Sequence, residues 1–490
     1  MMTKLSLANL PIIAKTLQVP KYRHSDLKPG ILHFGVGNFH RAHLAVYLDD
    51  LFNKGLNHDW ALIGTGVMAF DDKVRVILAA QDYLTTVVEQ DNEISSAHIT
   101  GAMIDFISPN DKNAILAKLV DPAIRIVSMT ITEGGYFIDP ATQKFDPSHL
   151  AIAKDGANPA DPATVFGYMV AGLKARKDNG MMPFTVMSCD NVPHNGVVTA
   201  NAVIGLARLS DNDLAEWIAQ NVAFPNAMVD RITPATGDRE RKITAEQFGV
   251  DDAWPVFCEE FKQWVVEDNF PLGRPRWEEV GVQFVKDVTP WEHMKIRILN
   301  GGHAVIAYIG GLMDIHFVHD AMQNPLIKAY LKKVTDDEIR PTVDAVPGTD
   351  LAEYQKLIER RFSNRKIADT IRRLCLDGSN RQPKFIVPPI ADLLKAGRPI
   401  NGLALESALW CRYSFGTTDL GKVIEPNDPN WGVLQAKAKL AKDDPQVWLD
   451  MSDIYGDVGR HPEMKEWFAH YLNAVWENGA EAVVRSYLEQ

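Results

Sequence analysis

The sequence predicts an α/β domain followed by an all-α domain. Three observations carry that reading: a strand, G-x-G, helix unit at 31–52, an alternation of short apolar strands with helices up to 191, and almost nothing but helical periodicity beyond 303. We expect residues 1–288 to form a Rossmann-like dinucleotide-binding domain and 289–490 a helical substrate and catalytic domain.

Residues 31–37, I-L-H-F-G-V-G, read as a buried strand entering a glycine turn, and N-F-H-R-A-H-L-A-V-Y-L-D-D-L-F after it has helical period. Such a unit lays a pyrophosphate on a helix N-terminus, where unpaired N–H groups and peptide dipoles favour an anion. Gly35, Gly37, Asn38, Phe39 and Arg41 are therefore candidate cofactor residues, although His40 stands where the third glycine of G-x-G-x-x-G would be. A second strand, A-L-I-G-T-G at 61–66, ends near Asp71 and Asp72, which are placed to accept from ribose hydroxyls and repel a 2′-phosphate. That favours NAD over NADP. Asp71 reads equally well as a helix cap, because its distance from Gly35 exceeds the usual spacing of roughly 20 residues.

Strands at 124–131 and 184–191 finish in polar residues, which puts Glu133, Asp190 and Asn191 at the rim where open α/β sheets bind ligands. Each would serve equally as a cap. A loop at 155–163 leads to a helix at 164–177, and a proline-bounded loop or short strand at 223–234 holds Asp230 and Arg231, whose plain reading is a buried ion pair. A β-like segment at 281–288 precedes the expected boundary. Helices follow at 316–335, 350–376, 388–396, 401–413, 432–442, 444–455 and 461–488. Between two of them, R-R-L-C-L-D-G-S-N-R-Q-P-K at 372–384 gathers Arg372, Arg373, Arg381 and Lys384 into what reads as a basic loop.

Composition narrows the function classes. With 490 residues, 46% hydrophobic and 23% charged, the chain can bury a large core without disulfides or metals. A net charge of −12 and the lack of a long basic run argue against nucleic acid or anionic membrane as a partner. The four cysteines are scattered singly, which indicates neither a disulfide framework nor a thiolate zinc site. No apolar run reaches the roughly 18 residues of a membrane span, and no signal-peptide pattern opens the chain, so the expectation is a cytoplasmic enzyme without a metal.

The densest polar chemistry lies at 290–306, P-W-E-H-M-K-I-R-I-L-N-G-G-H-A-V-I. On an α-helix, measured from Lys295, Leu299 falls at about 40°, His303 at about 80° and Asn300 at about 140°, with Arg297 pointing away at about 200°. A lysine, an amide and an imidazole then share a face with apolar residues, where desolvation lowers a lysine pKa toward neutrality. Lys295 so tuned can take a proton from an alcohol while Asn300 and His303 bond the oxygen. Gly301 and Gly302 each cost a helix roughly 1 kcal/mol relative to alanine, and suggest close approach to the backbone. Spacing alone leaves open that these are a surface lysine and two capped or core-satisfied polar residues.

The motifs H-F-G-V-G-N-F-H-R-A-H, T-I-T-E-G-G-Y, F-T-V-M-S-C-D-N, F-P-N-A-M-V-D-R-I-T-P, M-K-I-R-I-L-N-G-G-H and R-F-S-N occur in order. Together they resemble the polyol-specific long-chain dehydrogenases of the mannitol 2-dehydrogenase type. The resemblance implies a monomer, without metal, in which polyol and nicotinamide meet between a Rossmann-like domain and a helical one. It maps the catalytic lysine onto Lys295, the alkoxide-binding amides onto Asn191 and Asn300, and the orienting histidine onto His303. Substrate contacts map onto Asp230 and Arg373, and the acidic ribose ligand onto Asp71; Arg381 is expected to join the substrate contacts, and Glu133, from its place at the strand rim, the cofactor residues. Arg381 stands where lysine is usual, which bears on the choice of polyol, and Phe70 where an acidic residue is usual, which bears on how strictly NAD is preferred over NADP. The rival readings are a hexuronate reductase of the fructuronate type, with Arg373 and Arg381 clamping a carboxylate, and an NAD-binding regulator without turnover. Glu292 reads as a modulator of proton exchange or a surface ion pair.

Overall fold

Strands buried on both faces are typical of parallel sheets covered by helices. The computed structural model, which describes residues 2–139 and 144–490 and leaves the Glu133 side chain undescribed, shows such a sheet. Its strands are β1 (Pro29–Phe34), β2 (Ala61–Thr65), β3 (Met103–Phe106), β4 (Ile126–Met129) and β5 (Thr185–Ser188), all parallel, in the order β3-β2-β1-β4-β5. Alternation divides β1 between two cores: Leu32 and Phe34 join one, Ile31 the other. Strand order reverses between β1 and β4, so their carboxyl ends form the topological switch point at which such sheets bind dinucleotides.

The sequence reading missed β3, whose four residues M-I-D-F are too few to show a period. It also missed a three-stranded sheet in which Thr85–Gln90 pairs in parallel with Val256–Glu259 and antiparallel with Ser95–Thr100. A third sheet joins Ala227–Asp230, Gln263–Glu267 and Gln283–Val285, so the stretch around Asp230 is a strand.

The chain divides into two compact units, Met1–Val288 and Thr289–Gln490. The second is helical, built on Asn401–Ser414, which is buried from Gly402 to Ser414 and packs against both Gly301–Leu312 and Pro462–Asn478. Several expected helices are broken where capping chemistry intervenes. Asn324 caps the helix Pro325–Val334 through its side chain, Gly479 separates Pro462–Asn478 from Ala480–Leu488, and the helix Leu351–Phe362 ends well short of 376. The basic loop expected at 372–384 is instead two short helices, Ile371–Leu374 and Gly378–Phe385, joined through Asp377 in the left-handed region. Among the described residues, no helix is long and apolar enough to cross a membrane.

Candidate active site

In the first unit the glycine turn is built from two glycines with different duties. Gly35 has φ +89°, and a Cβ there would lie 2.2 Å from the Thr130 carbonyl oxygen, so only glycine fits between β1 and β4. Gly37 is exposed, precedes the helix α1 (Asn38–Ala42), and has nothing within 4 Å of where its Cβ would stand. Its backbone is open to a pyrophosphate. Beneath the turn, His33 bonds Ser128 Oγ at 2.8 Å and Thr130 Oγ1 at 3.0 Å, while Thr130 Oγ1 donates to Gly35 O at 2.6 Å. Burial pushes the His33 imidazole down to about 3, so it stays neutral. His40, in place of the third glycine, stacks on it at 3.5 Å.

The side chains of Asn38, Phe39 and Arg41 fasten this turn rather than project from it. Asn38 Nδ2 donates to Pro234 O and Thr236 Oγ1, and its Oδ1 accepts from Arg41 Nη2 at 2.9 Å and Trp254 Nε1 at 3.1 Å. Arg41 is buried and donates to Trp254 O at 2.5 Å, and Phe39 stacks on His43 at 4.9 Å. Asp71 also has a structural duty. It is the third residue of the helix α2 (Ala69–Ala79), and its Oδ2 accepts from Val67 N at 3.0 Å and Met68 N at 2.9 Å, satisfying two backbone donors at the helix start. Asp72, expected to add repulsion toward a phosphate, is instead paired with Arg75 at 2.8 Å and accepts from Ser108 Oγ at 3.0 Å. Phe70 is 57% exposed, edge-on to Trp254.

Asn191 lies exposed just past β5, and Asp190 beside it is buried. Asp190 accepts from Ile131 N, Thr132 N and Tyr136 Oη. Glu133 opens the short turn Glu133–Tyr136, and its side chain lies outside the described residues. Asp230, 5% exposed, ends its strand. The neighbouring Arg231 forms its ion pair with Glu89, and also donates to Glu259 O at 3.0 Å and Ala42 O at 2.5 Å, fastening the end of α1.

In the second unit, the rod expected to be a plain α-helix contains a π-helical segment, Lys295–Asn300, between Thr289–Met294 and Gly301–Leu312. Hydrogen bonding from i to i+5 widens the turn, so Lys295 and Asn300, five apart, sit closer to one face than α geometry allows. This corrects the angle read from the sequence. Lys295 is 7% exposed and Asn300 8%, and Glu292, at 4%, is no surface residue. Arg297 does turn elsewhere, but to a buried place, ion-paired with Asp392 at 2.7 Å and donating to Thr342 O. The glycines play a smaller part than expected. Gly301 has ordinary helical angles, and a Cβ at Gly301 or Gly302 would meet only normal contacts, with Phe385 O at 3.5 Å and Leu331 Cδ1 at 3.4 Å.

His303 stacks on Phe362 at 4.2 Å, and its Nε2 is buried without a hydrogen-bond partner among the described residues. Desolvation, then the charges of Arg373, Arg361, Arg381 and Lys295, hold its pKa well below the ordinary value, so the imidazole is neutral. Arg373 is ion-paired with Asp369, and Arg381 donates to Leu374 O at 3.2 Å. Arg361 and Phe362 were missed as site residues, although they open the R-F-S-N motif. No group of three or more His, Cys, Asp or Glu side chains among the described residues is arranged to hold a metal ion.

Comparison with known proteins bears on both units. The family description "Mannitol dehydrogenase Rossmann domain" matches residues 29–279, and "Mannitol dehydrogenase C-terminal domain" matches 287–476. A mannitol 2-dehydrogenase of Cereibacter sphaeroides is 57% identical over 97% of this chain and 100% of its own length. The structure of Pseudomonas fluorescens mannitol 2-dehydrogenase in ternary complex with NAD and D-mannitol superposes with a TM-score of 0.92 at 42% identity, covering 100% of both chains. A substrate-free D-sorbitol dehydrogenase gives a TM-score of 0.89 at 38% identity over 99% of this chain and 100% of its own. The chain therefore belongs to the mannitol dehydrogenase family of polyol dehydrogenases.

Proposed function

We propose that this enzyme interconverts a polyol and its ketose, of the mannitol and fructose kind, with NAD as cofactor and Lys295 as general base. The observation that carries the chemistry is the π-helical segment, which presents a buried lysine at one end and a buried amide at the other, with a neutral histidine one turn on. Burial strips water from the ammonium and favours the neutral amine that a base must be. Oxidation of a secondary alcohol requires its hydroxyl proton to leave, and Lys295 Nζ takes it. The side-chain N–H groups of Asn191 and Asn300 donate to the alkoxide as it develops, and removal of one such donor typically costs on the order of 3 kcal/mol. His303 Nε2 orients the substrate, and Asp230, Arg373 and Arg381 bind its remaining hydroxyls.

Gly35 at positive φ, the open backbone at Gly37 and the strand order fit a dinucleotide. When bound, NAD supplies the hydride acceptor. Gly35, Gly37 and the backbone of Asn38 would hold its pyrophosphate, and Asp71 a ribose hydroxyl, with Glu133 nearby. Catalysis is proposed to need no metal, so activity should survive exhaustive dialysis against a strong chelator, and zinc-dependent recovery would refute this. The chain is proposed to act as a monomer, which light scattering tests.

A second reading, a hexuronate reductase, draws on Arg373 and Arg381, whose guanidinium charges act on His303 and would suit a carboxylate. Nicotinamide absorbance at 340 nm with a panel of polyols, ketoses and uronates separates the two. Turnover confined to uronates would overturn the polyol reading, and NADH binding without any turnover would mark a regulator.

A further inference from the structure

The turn after β4 holds a backbone outlier that the roles above leave unused. Thr132 has φ +64° and ψ 166°, a region open in practice to glycine alone. A β-branched residue stays there only where its surroundings hold it. The hydrogen bonds converge from one side chain: Asp190 Oδ2 accepts from Ile131 N at 3.0 Å and Tyr136 Oη at 2.7 Å, and its Oδ1 accepts from Thr132 N at 2.9 Å. The donors are themselves anchored. Tyr136, fully buried, shares a 2.6 Å bond with Ser188 Oγ, which accepts in turn from Asp190 N at 3.2 Å. Asn195 Nδ2 donates to Asp190 O at 3.1 Å and Ala227 O at 2.7 Å, fixing the main chain on the other side. The strained turn thus stands at the switch point, and the residue after its anchor is Asn191.

We infer that Asp190 is a positioning residue for the dehydrogenase reaction: its carboxylate holds the strained Ile131–Thr132 backbone at the crevice and, through its own main chain, aims the Asn191 amide. The inference rests on the role proposed above for Asn191. Three donors converge on two oxygens, so only an ionised carboxylate satisfies them all; an amide of the same size turns an N–H against at least one donor. The glycine turn is held separately, by Thr130 Oγ1 on Gly35 O and by His33.

The test compares wild type, Asp190→Asn, and Asp190→Asn combined with Thr132→Gly, each read by kcat and KM at 340 nm, by NADH affinity from fluorescence quenching, and by Tm. Asp190→Asn should lower kcat roughly tenfold or more while the NADH dissociation constant moves less than about threefold, because the glycine turn is untouched. Thr132→Gly in that background should recover about half of the loss or more on a logarithmic scale, since glycine needs no holding there. If Asp190→Asn does not fold, Tyr136→Phe removes one of the three donors and should show a smaller kcat loss with the same rescue. Unchanged kcat, or a parallel fall of kcat, NADH affinity and Tm without rescue, would overturn the inference in favour of a purely structural carboxylate. If the wild type oxidises no polyol, the functional reading fails, and amide hydrogen exchange decides the inference by itself. Faster exchange at Ile131 and Thr132 in Asp190→Asn supports it, and unchanged exchange sinks it.

Discussion

Replacing Asp71 with alanine separates two jobs that one carboxylate performs. Its Oδ2 accepts from Val67 N and Met68 N at the start of α2, and losing a helix-capping side chain costs about 0.5–2 kcal/mol. For a unit of this size that is a fall in Tm of about 2–4 °C per kcal/mol. The second job is cofactor choice. Asp71 Oδ1 has no hydrogen bond among the described residues and is proposed to accept from the adenosine ribose. A carboxylate about 5 Å from a 2′-phosphate repels it by on the order of 1–3 kcal/mol at an effective dielectric between those of surface and water. Arg75 already neutralises Asp72, so Asp71 carries most of that repulsion. Wild type should therefore prefer NAD by kcat/KM yet use NADP poorly rather than not at all. Asp71→Ala should lower kcat/KM for NAD and raise it for NADP, shifting the ratio on the order of 10- to 100-fold, with the gain for NADP shrinking as salt is added. Initial rates with both cofactors at low and high salt measure this. A Tm drop with an unchanged cofactor ratio would show that Asp71 is a cap and nothing more.

Lys295→Ala should lower kcat for polyol oxidation by several orders of magnitude with NADH binding nearly unchanged, and retained activity would remove Lys295 from the mechanism. Gly35→Ala drives a Cβ against the Thr130 carbonyl at φ +89°, so urea denaturation should show a loss of about 3 kcal/mol or more, with weakened NADH binding. Glu406, fully buried, is pushed by desolvation from 4.5 up to about 8. The folded state then holds this proton more tightly than the unfolded chain, so the stability it contributes is present in full below about 4.5 and lost as pH rises through about 8, a change on the order of 5 kcal/mol. Glu406→Gln should flatten the decline of Tm between about pH 5 and pH 9, and parallel profiles for the two proteins would contradict this.

Much of the fold was legible because its signals are local. Apolar runs at 31–37, 61–66, 124–131 and 184–191 mark strands buried on both faces, and G-V-G after the first of them announces the turn that Gly35 alone can make. Family motifs were legible for the same reason, being contiguous. The tertiary structure decided the rest. The π-helical segment at Lys295–Asn300 leaves the same apolar pattern as an α-helix over six residues, so its widened turn has no sequence period of its own. Asp71 as a cap, Arg231 on Glu89 across 142 residues, and Asp190 on Thr132 across 58 depend on which donors the folded chain brings within about 3 Å of each carboxylate. A sequence displays which groups need partners, but hydrogen-bond geometry chooses among them, and that choice exists only once distant segments have packed.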